Sequence, residues 1–214
     1  MRIYQLGAIV IFLALTGCAS MMYQPYDYQA ALIEVQRPSD IADRYSEQIT
    51  IEQSEEGEEQ YMYSDSLISI AWIVGDEQLS FILENKTQHS MRVLWDEVTF
   101  VDITGNSSRV MHEGVRYVDR NASQPPSVVP SNGRLIDIVV PTSNVYYVSG
   151  QYGGWRTAGL IQPRNTSLGE TEEALSNIGR RFSVLFPVEL QGVTNEYTFN
   201  FEVKDVVVPQ PSTQ

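Results

Sequence analysis

The sequence predicts an all-β fold, an antiparallel sandwich carrying one short helix, and three observations lead there. Apolar residues come in short runs rich in β-branched and aromatic types, several of them alternating with polar neighbours. Clusters of Gly, Asn, Asp, Ser and Pro interrupt these runs at intervals of about 8 to 15 residues, as in sandwiches and barrels. The most convincing helical stretch is Gly169 to Ile178, with Glu170, Glu172 and Glu173 at the positive end of the helix dipole and Gly179 placed to end it.

Taken in order, Ala19 to Glu47 is polar and dotted with tyrosines, and Ala30 to Val35 within it reads as a short helix. Ile49 to Gln53 is the first expected strand. The acidic cluster Ser54-Glu55-Glu56-Gly57-Glu58-Glu59 reads as a solvated loop, because like charges this dense repel, with a cation site as the other use of such carboxylates. Strand-like runs follow from Ser66 to Val74 and from Gln78 to Asn85, joined by a Gly75-Asp76 turn as a hairpin. After Asn85-Lys86-Thr87 the pattern resumes at Met91 to Trp95 and Val98 to Ile103. Arg109 to Met111 and Val115 to Val118 are short extended pieces, and Ser123 to Pro130 holds three prolines that exclude a helix. Leu135 to Val140, Val145 to Val148 and Trp155 to Ile161 are further strands. Arg181 to Leu190 and Tyr197 to Val208 form a terminal hairpin across Gly192 to Asn195.

The succession of alternating strand, Asn85-Lys86-Thr87 turn and Met91 to Trp95, in a stretch of about 40 residues, resembles the early hairpins of immunoglobulin-like domains of bacterial envelope proteins. That resemblance is one of pattern and implies a fold alone. Four Asn-X-Ser/Thr matches, at Asn85, Asn106, Asn121 and Asn165, read as polar turns.

The amino-terminal segment carries a different signal. Met1-Arg2 supplies positive charge, and Leu6 to Leu15 is an apolar stretch of about half the length needed to span a bilayer, which takes about 20 residues. Leu15-Thr16-Gly17-Cys18 then resembles the lipobox of bacterial lipoproteins. The resemblance implies cleavage before Cys18, a thioether from its sulfur to a diacylglyceryl group, and acylation of the new α-amino group by chains of the palmitate class. Two or three chains make such a tether essentially permanent. Within that family an Asp after the cysteine favours the inner membrane. Ala19 and Ser20 stand here instead, which implies the outer membrane, on its periplasmic face or at the cell surface. The expected organisation is a leader at 1–17, a lipidated tether at 18–47, a β-sandwich at 48–208 and a tail at 209–214.

Composition narrows the partners. With 14 basic and 27 acidic residues the chain has a net charge of -13, which repels nucleic acid and excludes it as a partner. A single cysteine allows no internal disulfide, so the fold must stand on its apolar core. Catalytic signatures are sparse. There are two histidines, His89 and His112, both read as surface or loop residues, and His112-Glu113 lacks the second histidine of a zinc-protease helix. No Gly-X-Ser-X-Gly elbow occurs, and Gly153-Gly154 lacks the Lys-Ser/Thr of a phosphate loop. Carboxylates are numerous, but number alone does not make a glycosidase pair. No catalytic residue, metal ligand or cofactor is expected.

One segment invites a binding role. Tyr146, Tyr147, Tyr152, Trp155 and Arg156 flank a loop from Gly150 to Gly154. Tyrosine and tryptophan bring large contact area at low entropic cost, so such rings can anchor a protein or stack on a sugar. The plainer alternative is that they fill the sandwich core. The functional expectation is an outer-membrane lipoprotein acting as a non-enzymatic interaction or assembly module of the envelope, held by its lipid anchor and contacting envelope proteins. A module binding peptidoglycan or another glycan is the first alternative, and a surface-exclusion lipoprotein of phage or plasmid origin the second.

Overall fold

A computed structural model describes residues 25–37, 48–53, 59–163 and 170–208. The leader, Cys18, the acidic residues 54–58 and the tail lie outside these. Among the described residues, fourteen strands and one α-helix follow in order: β1 (Asp27–Gln36), β2 (Gln48–Gln53), β3 (Glu59–Ser64), β4 (Ile68–Val74), β5 (Leu79–Asn85), β6 (Met91–Val93), β7 (Thr99–Val101), β8 (Ser107–Met111), β9 (Ser127–Val129), β10 (Arg134–Pro141), β11 (Val145–Val148), β12 (Gly154–Thr157), α1 (Glu170–Leu175), β13 (Arg181–Leu190) and β14 (Val193–Val207). The all-β antiparallel architecture with one short helix is the one the sequence predicts.

Twelve strands form one nearly closed sheet in the order β1-β14-β13-β7-β8-β10-β5-β4-β3-β2, with β6 joined to β13 and β9 joined to β6. Two layers result. One holds β2 to β5 and β10, the other β1, β14, β13 and β6 to β9, and they are bridged where Val140 and Pro141 of β10 pair with Met111 and Val110 of β8. Strands β11 and β12 stand apart as a two-stranded hairpin.

Alternation decides which side chains meet between the layers. In β5, Leu79, Phe81 and Leu83 point inward, and in β14 Tyr197, Phe199, Phe201 and Val203 do the same. Trp72 of β4 lies at the centre, with ring centroids 5.1 Å from Phe81, 5.2 Å from Phe199 and 5.8 Å from Phe186. Truncating a fully buried aromatic ring of this size to alanine costs about 3–5 kcal/mol.

Five local expectations need correction. Ala30 to Val35 is not helical, and residues 25–37 are part of the folded body and not of a tether extending to residue 47. There β1 pairs with β14 from Asp27↔Val207 to Gln36↔Thr198 and buries Ala30, Leu32 and Val35. Register shifts at Gln29/Ala30 and Leu32/Glu34 break its two-residue period, so the alternation that marks a strand is lost. Strand β3 falls where no strand is expected. Tyr117–Asp119, within or beside a piece read as extended, is a 3-10 turn. Finally, the proline-bearing loop Ser123 to Pro130 contains β9.

Candidate functional site: an aromatic hairpin

Strands β11 and β12 pair as Val145↔Thr157, Tyr146↔Arg156, Tyr147↔Trp155 and Val148↔Gly154. Cross-strand partners share a face, so Val145, Tyr147, Trp155 and Thr157 lie on one side and Tyr146, Val148 and Arg156 on the other. The first side rests on the body. Val145 is buried with Met111 and Val140, and Trp155 packs against that small cluster beside Val115 and Ile138.

The 3-10 turn completes this support. Tyr117 lies 6.2 Å from Trp155 and Thr157 Oγ1 is 3.3 Å from the Tyr117 hydroxyl. The Arg120 guanidinium sits 4.8 Å from the Trp155 ring centre, a cation–π contact, while Tyr147 meets the same ring edge-on at 5.5 Å. Asp96 holds the loop that follows. It accepts hydrogen bonds from Ser123, from the Gln124 backbone N–H and from Arg109, which also donates to the Asn121 and Ala122 carbonyls. The Ser123 hydroxyl and the Gln124 N–H hold the Asp96 carboxyl below the usual aspartate range, with Arg109 adding to the effect.

The tip is built by glycine. Gly150 and Gly154 have φ of 116° and 147°, and the Gly153 N–H donates to the Gly150 carbonyl. A Cβ on Gly153 would come within 2.5 Å of the Val148 carbonyl oxygen, so no other residue fits without moving backbone. Arg156 then donates to the Trp155 and Tyr152 carbonyls and ties the strand to the loop. The outcome is a braced turn that projects Tyr152 at 85% exposure, with Tyr147 at 61% and Tyr146 at 48%.

All five residues singled out in the sequence therefore come together; the three tyrosines are exposed and do not fill the core, whereas Trp155 packs against the small buried cluster. Sequence reasoning missed Tyr117 and Arg120, which join them from about 30 residues upstream. Of twelve large hydrophobic side chains exposed among the described residues, six gather here: Tyr117, Val118, Tyr146, Tyr147, Val148 and Tyr152. Arg120 and Arg156, like Arg180 and Lys86, form no ion pair among the described residues; Arg120 donates to the Tyr117 backbone carbonyl, and Arg156 to those of Trp155 and Tyr152.

Other polar groups are occupied in holding the fold. Asp65, fully buried, pairs with Arg37, accepts from the Tyr63 and Tyr197 hydroxyls, and receives the Leu67 and Ile68 backbone N–H groups on its other oxygen. Burial, and then the adjacent Asp65 carboxylate, push the Tyr197 hydroxyl well above its ordinary range. Asn85, expected in an open turn, is buried and donates to the His89, Val129 and Pro130 carbonyls. His89 is exposed, whereas His112 is half-buried, stacked 4.2 Å from Trp95 and within 3.2 Å of Asp137. Among the described residues no three His, Cys, Asp or Glu side chains are grouped to hold a metal, and no helix is long and apolar enough to cross a membrane.

The chain matches no protein-family model, no curated protein and no solved structure.

Proposed function

We propose that this protein is a lipid-anchored component of the bacterial cell envelope, held through Cys18, that binds another envelope protein through the β11–β12 hairpin. The single observation that carries the binding half is the gathering of half the exposed large hydrophobic side chains on that hairpin and the adjoining 3-10 turn. Rigid tyrosines beside arginine are the residue types that dominate protein interfaces, and a braced turn limits the entropy lost on docking. The anchor half rests on the sequence from Leu6 to Cys18.

A protein partner is favoured over a sugar by the state of the tryptophan. Sugar stacking wants a free ring face, but Trp155 already carries Arg120 over its ring and Tyr147 against its edge.

Two measurements test the proposal. Intact mass of the protein from its native bacterium is expected to show a diacylglyceryl-modified amino-terminal cysteine; an unmodified terminus contradicts the anchor. Crosslinking in cells, then affinity purification, is expected to recover a partner with the native chain and to lose it with Tyr147→Ala/Tyr152→Ala. Identical recovery from both contradicts the hairpin's role.

A further inference from the structure

From the backbone groups that the hairpin leaves unpaired, we infer that the partner presents an extended segment, which adds to the outer edge of β11 as a third strand. This rests on the hairpin reading above and adds how the partner docks and what kind of segment docks.

The ladder fixes which backbone groups face outward. The Ala158 N–H donates to the Asn144 carbonyl, so these two residues form a hydrogen-bonded pair, and by register Tyr146 with Arg156 and Val148 with Gly154 do the same. Val145 and Tyr147 occupy the positions between, where N–H and C=O point away from β12. The Val145 N–H is taken up by the Thr142 carbonyl. That leaves the Val145 carbonyl and both the N–H and the carbonyl of Tyr147, none of which has a hydrogen-bond partner among the described residues. Nor does the fold cover this strand. Tyr146, Tyr147 and Val148 alternate between its two faces, yet all three are exposed.

The other free edges among the described strands are guarded, as edges in native proteins usually are. Strand β1 carries two register shifts, and β2 lies beside it where the sheet nearly closes. Strand β9 has three residues, between Pro126 and Pro130. On β12 the Trp155 carbonyl already accepts from Arg156, and Tyr117 lies against Trp155 and Thr157. Strand β11, Val-Tyr-Tyr-Val, has no proline, no charge and no register shift, and is built of the β-branched and aromatic residues that strands favour.

An edge of four residues suits a linear segment better than a folded surface. Stable interfaces between folded proteins take about 20–30 residues a side, whereas strand addition draws affinity from main-chain bonds and selectivity from alternate side chains. A second copy offering its own β11 would bring two chains of net charge -13 together, which opposes such pairing. The segment that fits carries β-branched or aromatic side chains at alternate positions, one set beside Tyr147 and the other beside Tyr146 and Val148.

The test uses the full-length protein in its native bacterium with a photoreactive amino acid at position 152. Crosslinking is expected to join it to another protein, within a segment that binds by itself when made as a synthetic peptide of about 10 residues. With that peptide bound, amide exchange at Tyr147, fast in the free protein, is expected to slow at least about tenfold, while Tyr146, already bonded to β12, changes less. Tyr147→Pro removes the outward N–H without touching a β11–β12 bond, and Tyr147→Ala removes the same ring but keeps the N–H. Proline is expected to lower the adduct yield at least about fivefold below alanine, the effect of one hydrogen bond. Should the proline variant lose protection at the Tyr146 and Val148 amides, the exchange measurement on the native chain decides. A self-adduct, a peptide that does not bind, an unchanged Tyr147 amide, or equal yields from the two variants with the hairpin intact overturns strand addition. Capture of another protein at 152 in any of these cases leaves the hairpin's role standing, whereas no adduct at 152 removes both.

Discussion

The guanidinium of Arg37 and the carboxylate of Asp65 meet at 2.5 Å with side-chain exposures of 1% and 0%, joining the end of β1 to the β3–β4 turn. Two tyrosine hydroxyls and two backbone N–H groups complete the carboxylate's shell, so the charge is buried with its hydrogen bonds made. Removing one partner of such a pair leaves the other charged and desolvated, at a cost of about 3–5 kcal/mol. Asp65→Ala is therefore expected to lower unfolding stability by about that amount in urea titration. A change below about 1 kcal/mol would show that the pair does not secure the edge strand.

Asp96 links the core to the loop beneath the hairpin, and its lowered carboxyl pKa fixes the sign of a pH effect. The fold favours the charged form, so the contribution is fully present above the ordinary aspartate value near 4 and is lost as pH falls through the lower folded value. Asp96→Asn is expected to flatten the acid limb of the stability curve below about pH 4. Urea midpoints measured at stepped pH check this, and parallel curves for the two proteins contradict it.

Gly153 tests whether the tip is built or incidental. Because a Cβ there would meet the Val148 and Gly150 carbonyl oxygens at 2.5 and 2.9 Å, Gly153→Ala is expected to open the tip. Amide hydrogen exchange in β11 and β12 should rise at least about tenfold while the β13 and β14 amides stay protected, since the hairpin pairs with neither. Unchanged exchange at Val148 and Trp155 would mean that the turn tolerates a side chain.

How far these features are legible in the sequence depends on the element. The β4–β5 and β13–β14 hairpins are plain because Leu79-Phe81-Leu83 and Phe182-Val184-Phe186 alternate without interruption. In β1 two register shifts break the alternation, and Ala30, Ala31 and Leu32 are good helix formers, so local preference points away from the strand that β14 imposes. Strand β3 is hidden because its inward residues are Tyr61 and Tyr63, polar enough to read as a continuation of the acidic loop. At the site, Tyr146 to Arg156 stand out by composition alone. Their exposure does not, because a two-residue period sorts side chains into two faces without saying which face another layer covers. Tyr117 and Arg120 are invisible as members of the site, since only the tertiary fold returns the 3-10 turn to Trp155.

Arg120 is expected to matter to the site and little to the fold. A partly exposed cation–π contact is worth about 0.5–1 kcal/mol, so Arg120→Ala should leave the unfolding midpoint nearly unchanged. It should nevertheless change the near-ultraviolet dichroism of Trp155 and weaken partner capture. Full capture by the variant would show that the guanidinium does not contribute to recognition.

The most direct measurement is photo-crosslinking by position. A photoreactive residue at 152, on the hairpin, is compared with one at 193, where Val193 is also exposed, at 60%, beside the β13–β14 turn and outside the aromatic patch. Position 152 is expected to yield one dominant protein adduct and position 193 little or none. Equal adducts from both positions, or none from 152, would contradict the assignment of the hairpin as the recognition element.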